Sequence, residues 1–410
     1  MKNNVNRKKN INENDNPVFR FHVSPKVDIA LRNKDMPPFI PDALPPDITF
    51  DNNLSTLLES ASRLVGELNG IGSSMENPHI LIGRYVRHEA VVSSKIEGTL
   101  ASIEDLNTYE ILGGFQKTDA DRLRIKEVFN YEKALKWALE QIRDGGQSVD
   151  LSIILNAHKI LMDGVRGQES SPGKFRDQQN VIIERRSFSA TVTYVPPPPK
   201  KLRKLLRNLE AFCKNGHDSI PVLIQCAMIH YQFEAIHPFG DGNGRIGRLL
   251  ILIVLCQRGF LKEPLLYMSA FFERHRTEYY RYLMEVSSKG KWNQWIWFFL
   301  QAFVEQAGEA IESIRRLSAL QRQYRHTLQN MNAGGNVIAL MESLFENPFA
   351  TIPSAQKRLG VSYPTARRTV STLVDAGMLT QINARYKSRI FAALEIHDVL
   401  RDRTFYSRWN

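Results

Sequence analysis

In the stretch His237-Pro238-Phe239-Gly240-Asp241-Gly242-Asn243-Gly244-Arg245-Ile246-Gly247-Arg248, nearly every polar side chain is of a type that handles phosphate. His237 is the side chain best able to take up a proton near neutral pH. Asp241 offers hard carboxylate oxygen to a divalent cation that bridges phosphates. Gly242 and Gly244 flank Asn243 and permit left-handed backbone angles, so that successive N–H groups can converge on one concavity. Arg245 and Arg248, one helical turn apart, add two guanidinium forks matched to phosphate oxygens. Together these make a phosphate cradle with a metal ligand and a base. No Gly-Lys-Ser/Thr follows the glycines, which excludes a Walker A loop. Counted from Asp241, an EF-hand would need Gly where Ile246 stands and Glu where Leu252 stands. The plainer alternative is a Gly/Asn-rich turn with solvated charges; it suffices for any one residue, but not for all of them together.

Such a loop has to be held, and its flanks are built to do so. Upstream, Pro221 to Ala235 is apolar enough for a core helix and is closed by Pro238. Downstream, Arg245 to Cys256 reads as a second buried helix ended by Gly259. The cradle therefore opens at a helix N-terminus, where unpaired N–H groups and the helix dipole favour an anion.

The stretch resembles, position by position, the Fic-family motif His-x-Phe-x-(Asp/Glu)-Gly-Asn-Gly-Arg-x-x-Arg. The resemblance implies a mainly α fold: a Fic-type helical core with a β-hairpin flap. It implies a protein adenylyltransferase that moves AMP from ATP, with Mg²⁺, to a Ser, Thr or Tyr hydroxyl of a target protein. Relatives that transfer phosphate instead tend to carry lysine at the second glycine, and Gly244 is intact. His237 would be the base and Phe239 a structural anchor. Asp241, Gly242, Asn243 (through its side chain), Gly244, Arg245 and Arg248 would hold the nucleotide, with Asp241 on the metal. Tyr280 would pack near adenine, and Ser287 stands where relatives often place an adenine-binding Asn. Further upstream, Ser93, Glu97 and Gly98 are similar to the family's inhibitory motif, (Ser/Thr)-x-x-x-Glu-(Gly/Asn), in which the glutamate takes the last arginine away from the γ-phosphate. A helix C-cap at Gly98 and a solvated Glu97 would account for the same letters. Homodimers are frequent among relatives of this layout.

The rest of the chain supplies the frame. With 410 residues, 43% hydrophobic and 24% charged, it has the composition of a globular protein of about two to three domains. A formal charge of +11 suits a polyanionic partner. Cys213, Cys226 and Cys256 have neither disulfide nor zinc spacing, which suggests packing residues of a reducing compartment. Without a signal-peptide pattern or an apolar run long enough to span a bilayer, the expected location is cytoplasmic, with no membrane contact. Residues 1 to about 15 read as loose, and a proline-punctuated arm follows to about residue 50. A helix is expected over Asn53 to Asn69 and another from His79 to near Gly98. Ser102 and Asp105 resemble a capping box, and Val149 to Val165 has helical spacing.

Between Val181 and Val195 the β-prone run predicts two short strands, ended by Pro196 to Pro199. By resemblance this is the flap, in which Thr191, Val192 and Thr193 would pair main chain to main chain with the target. Val181, Ile182 and Ile183 stand where many family members have Trp and Gly. Lys200 to Arg207 starts a basic amphipathic helix with a solvated face, Tyr267 to Leu283 is aromatic core, and a long helical segment runs over 292 to 329.

Beyond Gly334-Gly335 three short helices (Val337 to Leu344, Ser354 to Leu359, Thr365 to Ala376) precede a hairpin over Met378 to Leu394 that turns at Asn383-Ala384. This is the pattern of a winged helix-turn-helix domain. Thr365, Arg367, Arg368 and Thr372, with Arg385, Lys387 and Arg389 on the wing, would make phosphate contacts to DNA; dimerisation or target docking is the alternative use. The expected divisions are an arm over 1–50, inhibitory helices over 51–120, a catalytic core over 121–330 and the winged helix over 335–410. Two other functions fit the same letters. One is a winged-helix transcription regulator with a nucleotide-sensing core, and the other is a hydrolase that removes AMP.

Overall fold

Apolar residues recur at helical spacing over most of the chain, and helices dominate the computed structural model. It describes residues 36–73, 78–112, 118–167, 169, 171–186, 189–382 and 389–399. The expected loose terminus, Pro17 and Pro25 of the arm, the turn at Asn383-Ala384, and wing residues Arg385 and Lys387 lie outside the described residues. In chain order the helices begin with α1 (Asn52–Ser73), α2 (Pro78–Ile96), α3 (Ile103–Leu112), α4 (Asp119–Arg143) and α5 (Leu151–Leu161). The antiparallel strands β1 (Ile182–Arg186) and β2 (Ser189–Tyr194) follow. Then come α6 (Pro199–Asn215), α7 (Val222–Ile236), α8 (Asn243–Gln257), α9 (Ser269–Arg274), α10 (Arg276–Lys289) and α11 (Trp292–Asn330). Last are α12 (Gly335–Leu344), β3 (Phe349–Ala350), α13 (Ile352–Leu359), α14 (Tyr363–Asp375), β4 (Thr380–Ile382), β5 (Ile390–Ala392) and α15 (Leu394–Val399).

The centre is the antiparallel pair α7 and α8. Each is apolar on every side, as a helix enclosed by others must be; Leu223, Ile224, Ala227, Met228, Leu249, Leu250, Ile253 and Val254 are all buried. Around them pack α2, α4, α5, α6 and α11, whose buried stripes join in one continuous core. Local chemistry sets the helix ends. Thr118 and Asp150 cap α4 and α5 with side-chain oxygens. The hydroxyl of Ser102 accepts from the Asp105 amide while the Asp105 carboxylate takes the Ser102 amide, closing a box at the start of α3. α6 turns Leu202, Leu205, Leu206, Leu209 and Phe212 inward, leaving its Lys and Arg residues in solvent.

One boundary differs from expectation. α1 runs on to Ser73, through Gly70 and Gly72; Gly72 is buried against Leu265, whose side chain would have to move for a Cβ to fit there. α2 stops at Ile96; Gly98 has φ 88° and its N–H donates to the Lys95 carbonyl, so that Glu97 sits in a turn rather than in the helix.

Past α11 the three helices α12, α13 and α14 pack on a three-stranded sheet of order β3-β5-β4. The pattern reading missed β3 and α15, both too short for periodicity to reveal. This segment does not lead away from the rest. Asn347 donates to Glu110, His397 lies 3.1 Å from Glu104, and Ile111 of α3 packs with Phe349, Ile390 and Ala392. No helix among the described residues is long and apolar enough to cross a membrane.

Candidate nucleotide-binding site

The loop between α7 and α8 is shaped by its own side chains before any ligand is considered. α7 ends on His237, which takes the left-handed conformation (φ 50°, ψ 60°), sparsely populated for a residue other than glycine. Phe239 drops into the core, fully buried, and stacks on His158 with 3.7 Å between ring centroids. The Asn243 amide bridges the turn, accepting from the Phe239 N–H at 2.8 Å and donating to its carbonyl at 2.9 Å. Asn243 is buried and both ends of its amide are committed, so it shapes the loop. The side chain expected to grip the nucleotide is here engaged by the loop itself.

The two glycines serve different purposes. Gly242, at φ 81°, makes the left-handed turn into α8. Gly244 does not: it lies within α8 at ordinary helical angles, which corrects the expectation of a second left-handed glycine. It is glycine because a Cβ there would collide with the Glu97 carboxylate and crowd the Arg248 guanidinium. No side chain caps α8, and Gly242, Asn243 and Gly244 line a small cavity at its N-terminus, where free N–H groups favour an anion.

His237, Asp241, Arg248, Tyr280 and Glu97 line the same cavity, with Glu234 and Tyr279. Arg245 does not. It is buried beneath the loop, 3.2 Å from Asp241 and 3.6 Å from the Met162 sulfur, so only one of the two expected forks faces the cradle. Positions 245 and 248 are only about 60° apart around a helix, so the step between them does not part the two side chains. Their partners in the packed core do, with Asp241 and the Met162 sulfur holding Arg245 beneath the loop and Ser93 and Glu97 holding Arg248.

Arg248 is held by three hydrogen bonds. Nε donates to Ser93 Oγ at 2.8 Å, and Nη2 donates to the Ser93 carbonyl at 2.9 Å and to Glu97 Oε1 at 2.8 Å. The side chains of Arg248 and Glu97 are 1% and 11% exposed, so this is an almost fully desolvated ion pair. Burial works against the charge on Arg248, but Glu97 with Tyr279, Tyr280 and Glu234 together outweigh it and its pKa is raised. With Glu97 in place, the cavity measures about 20 Å³, room for roughly one water.

His237 Nδ1 lies 3.3 Å from the Glu234 carbonyl, which can only accept, so Nδ1 carries the hydrogen and Nε2 the lone pair. Burial, with the nearby Arg176 charge, pushes the pKa of His237 down to about 4, and the ring is neutral at pH 7. Glu234, in the same cavity, is pushed by burial up to about 8.

Two residues that support the loop carry no mark in the sequence. Arg176 donates from Nε to the His237 carbonyl at 2.8 Å and also reaches the carbonyls of Pro197 and Gln178. His158 accepts the Gly173 N–H at Nδ1, so its Nε2–H donates to the Asp241 carbonyl at 2.9 Å. Each is an isolated residue far from the loop along the chain, and spacing could not have found either one. Ser287 bonds the Tyr231 hydroxyl at 2.9 Å and does not line the cavity.

The strand pair is moored beside the loop. Asn180 donates to the Phe239 carbonyl and the Tyr194 hydroxyl to that of Ala235. Along β2, Thr191 is exposed, Val192 packs inward with Ile183, and the Thr193 hydroxyl donates to the Ile182 carbonyl. None of the three lines the cavity.

Comparison with known proteins agrees with this geometry. The family model described as Fic/DOC family matches residues 148–255, and that described as Fic/DOC family N-terminal matches residues 55–140. A probable protein adenylyltransferase of Aquifex aeolicus is 28% identical over 179 residues, 43% of this chain and 49% of that protein. The protein adenylyltransferase Fic of Aedes aegypti is 29% identical over 209 residues, 50% of this chain and 38% of that protein. The chain thus spans less than half the length of either curated relative. A solved structure of a Fic family protein from Desulfovibrio desulfuricans G20 superposes with a TM-score of 0.54 at 21% identity, covering 85% of this chain and 98% of that one, which is a likeness of fold. The first family model takes in the loop from His237 to Arg248 and the second takes in Ser93 and Glu97, so that residues 55–140 and 148–255, the two segments that meet at the cavity, belong to the Fic/DOC family.

Proposed function

We propose that the protein is a protein adenylyltransferase, resting in a state in which Glu97 occupies the arginine that the nucleotide needs. The observation that carries this reading is the Arg248–Glu97 contact at 2.8 Å across a cradle otherwise built for phosphate. In the active state Arg248 would turn its fork to the γ-phosphate, and the N–H groups of Asn243 and Gly244 would meet the α- and β-phosphates, with Gly242 shaping the turn and its N–H holding Asp241. Tyr280 would lie near the base. The target hydroxyl oxygen attacks the α-phosphorus as its proton passes to His237 Nε2. The bond from the α-phosphorus to the bridging oxygen breaks, and pyrophosphate leaves.

Asp241 suits a hard cation: its carboxylate lines the cavity and is already anchored by the Gly242 N–H and Arg245. No group of three or more His, Cys, Asp and Glu is gathered among the described residues, so Asp241 would share Mg²⁺ with the triphosphate. The ion would supply charge neutralisation at the phosphates. β2, with Thr191, Val192 and Thr193, is moored close enough to the loop to present a target segment by main-chain pairing.

The deciding experiment compares ATP labelled at the α- or γ-phosphate in a cell lysate, with Glu97→Gly as the active background. Label from the α-phosphate only is expected on protein. Adding His237→Ala should abolish it while ATP binding survives, and transfer that persists would refute the assignment of the base.

A second reading concerns the C-terminal segment as a winged helix on DNA. It is favoured by α14, which exposes Thr365, Arg367 and Arg368 on one side. Sequence-preferring, salt-sensitive binding of duplex DNA by the whole chain, lost in Arg367→Ala/Arg368→Ala, is the expected result.

A further inference from the structure

The side of α2 turned away from Arg248 borders a second cavity, of about 340 Å³, closed by α3 and by His397 of α15. That volume falls in the range of small-molecule sites. Its walls are largely apolar, with Val91, Val92 and Ile103 beside the Tyr267 ring, which lies 5.2 Å from Tyr85 and 4.7 Å from His88. Leu100 stands at the mouth with 70% of its surface exposed, a large apolar side chain left in water.

One buried charge in this wall is unbalanced. Arg84 is only 8% exposed, and its hydrogen bond among the described residues is a long one, 3.4 Å from Nη1 to the Phe345 carbonyl. Burial pushes its pKa down to about 9, with Glu104 acting on it only from beyond ion-pair distance. The carboxylates around the cavity are taken already: Glu273 by Lys95 at 2.8 Å, Glu104 by His397 at 3.1 Å and Asp105 by Ser102. A buried guanidinium without a carboxylate is costly, and an incoming anion would relieve it.

We infer that this cavity binds a small monoanionic amphiphile, its carboxylate on Arg84 and its apolar body along Val91, Leu100 and Tyr267, and that the bound ligand holds α2 where Glu97 meets Arg248. A carboxylate matches the guanidinium fork in two-point contact. A dianion would be opposed by Glu104, Asp105 and Glu273, which share the wall. The ligand bridges α2, α3 and α15, so it favours the arrangement in which the cavity exists. Ser93 and Glu97 ride on or directly after the same helix, and what fixes α2 fixes their grip on Arg248. The regulatory half of this inference rests on the reading of Glu97 as inhibitory, whereas the binding half does not.

Octanoate titrated calorimetrically into the full chain tests the site, with octanol as the neutral and octyl phosphate as the dianionic comparator. Saturable one-to-one binding of octanoate is expected, at least tenfold tighter than either comparator. Arg84→Met should weaken it at least tenfold. Leu100→Glu, at an exposed position that folding does not depend on, should weaken it as well and serves if the Arg84 variant does not fold. Equal octanoate affinity in wild type and Leu100→Glu, or octanol bound as tightly as octanoate, would overturn the site. Saturating octanoate should slow adenylyl transfer by wild type at least threefold and leave Glu97→Gly unaffected. Binding as expected with transfer unchanged would overturn the link to α2. Binding as expected with no transfer by any variant would leave the site standing and bring down the adenylyltransferase reading instead.

Discussion

Replacing Glu97 with glycine removes one of the three hydrogen bonds that Arg248 makes among the described residues, the 2.8 Å contact with a carboxylate, while the two bonds to Ser93 remain. Glu97 lies just past the last residue of α2, so glycine there costs little helix propensity and the effect can be assigned to the side chain. A hydrogen bond between charged groups contributes about 1.5–3 kcal/mol. If ATP must break that bond to engage Arg248, its removal should raise adenylyl transfer about 10- to 150-fold, at about 1.4 kcal/mol per factor of ten. Without nucleotide the variant leaves Arg248 buried and lacking its counter-charge, so it should melt earlier than wild type; ATP should then raise its melting temperature more than it raises that of wild type. The assay is incorporation of α-labelled phosphate into protein, read beside thermal unfolding with and without ATP. Transfer within twofold of wild type, with the same ATP shift, would refute the inhibitory reading. So would equal activation by Ser93→Ala, because that variant spares the carboxylate.

Asn243→Ala strips both bonds that close the loop and leaves the buried Phe239 N–H unsatisfied; a loss of about 1–3 kcal/mol in denaturant unfolding is expected, together with loss of transfer. Arg176→Met frees the His237 carbonyl and should lower kcat by up to about a hundredfold with little change in KM for ATP, since it disturbs the position of the base rather than the phosphate contacts. The acid limb of kcat/KM should fall near pH 4 rather than 6.5, because protonation of His237, whose pKa burial has lowered to about 4, removes the acceptor; Arg176→Met should move the limb upward. His158 and His237 both stay neutral in the fold down to about pH 4, so the unfolded chain binds more protons below its own value of 6.5. Stability should therefore decline as pH falls from 6.5 toward 4, as measured by urea unfolding across that range.

What could be read from the letters was whatever neighbours in sequence decide among themselves. Two apolar segments around a polar turn specify α7, α8 and the loop, because helix periodicity and turn chemistry act over a few residues. The strands β1 and β2 follow in the same way from a β-branched run closed by prolines. The packed chain alone decided how the pieces face each other. It set Glu97 2.8 Å from Arg248, a pairing that the family resemblance implied but residue spacing could not. It turned Arg245 under the loop, and put the Glu97 carboxylate where a Cβ on Gly244 would go, so that this glycine serves for space rather than for backbone angle. It also recruited Arg176 and His158 to hold the carbonyls of His237 and Asp241, and folded β3 and β5 of the C-terminal segment back onto α3. The division has one physical cause. Local propensity sets the conformation of a segment, but the partner of a buried charge is whichever group the assembled core brings within hydrogen-bond reach.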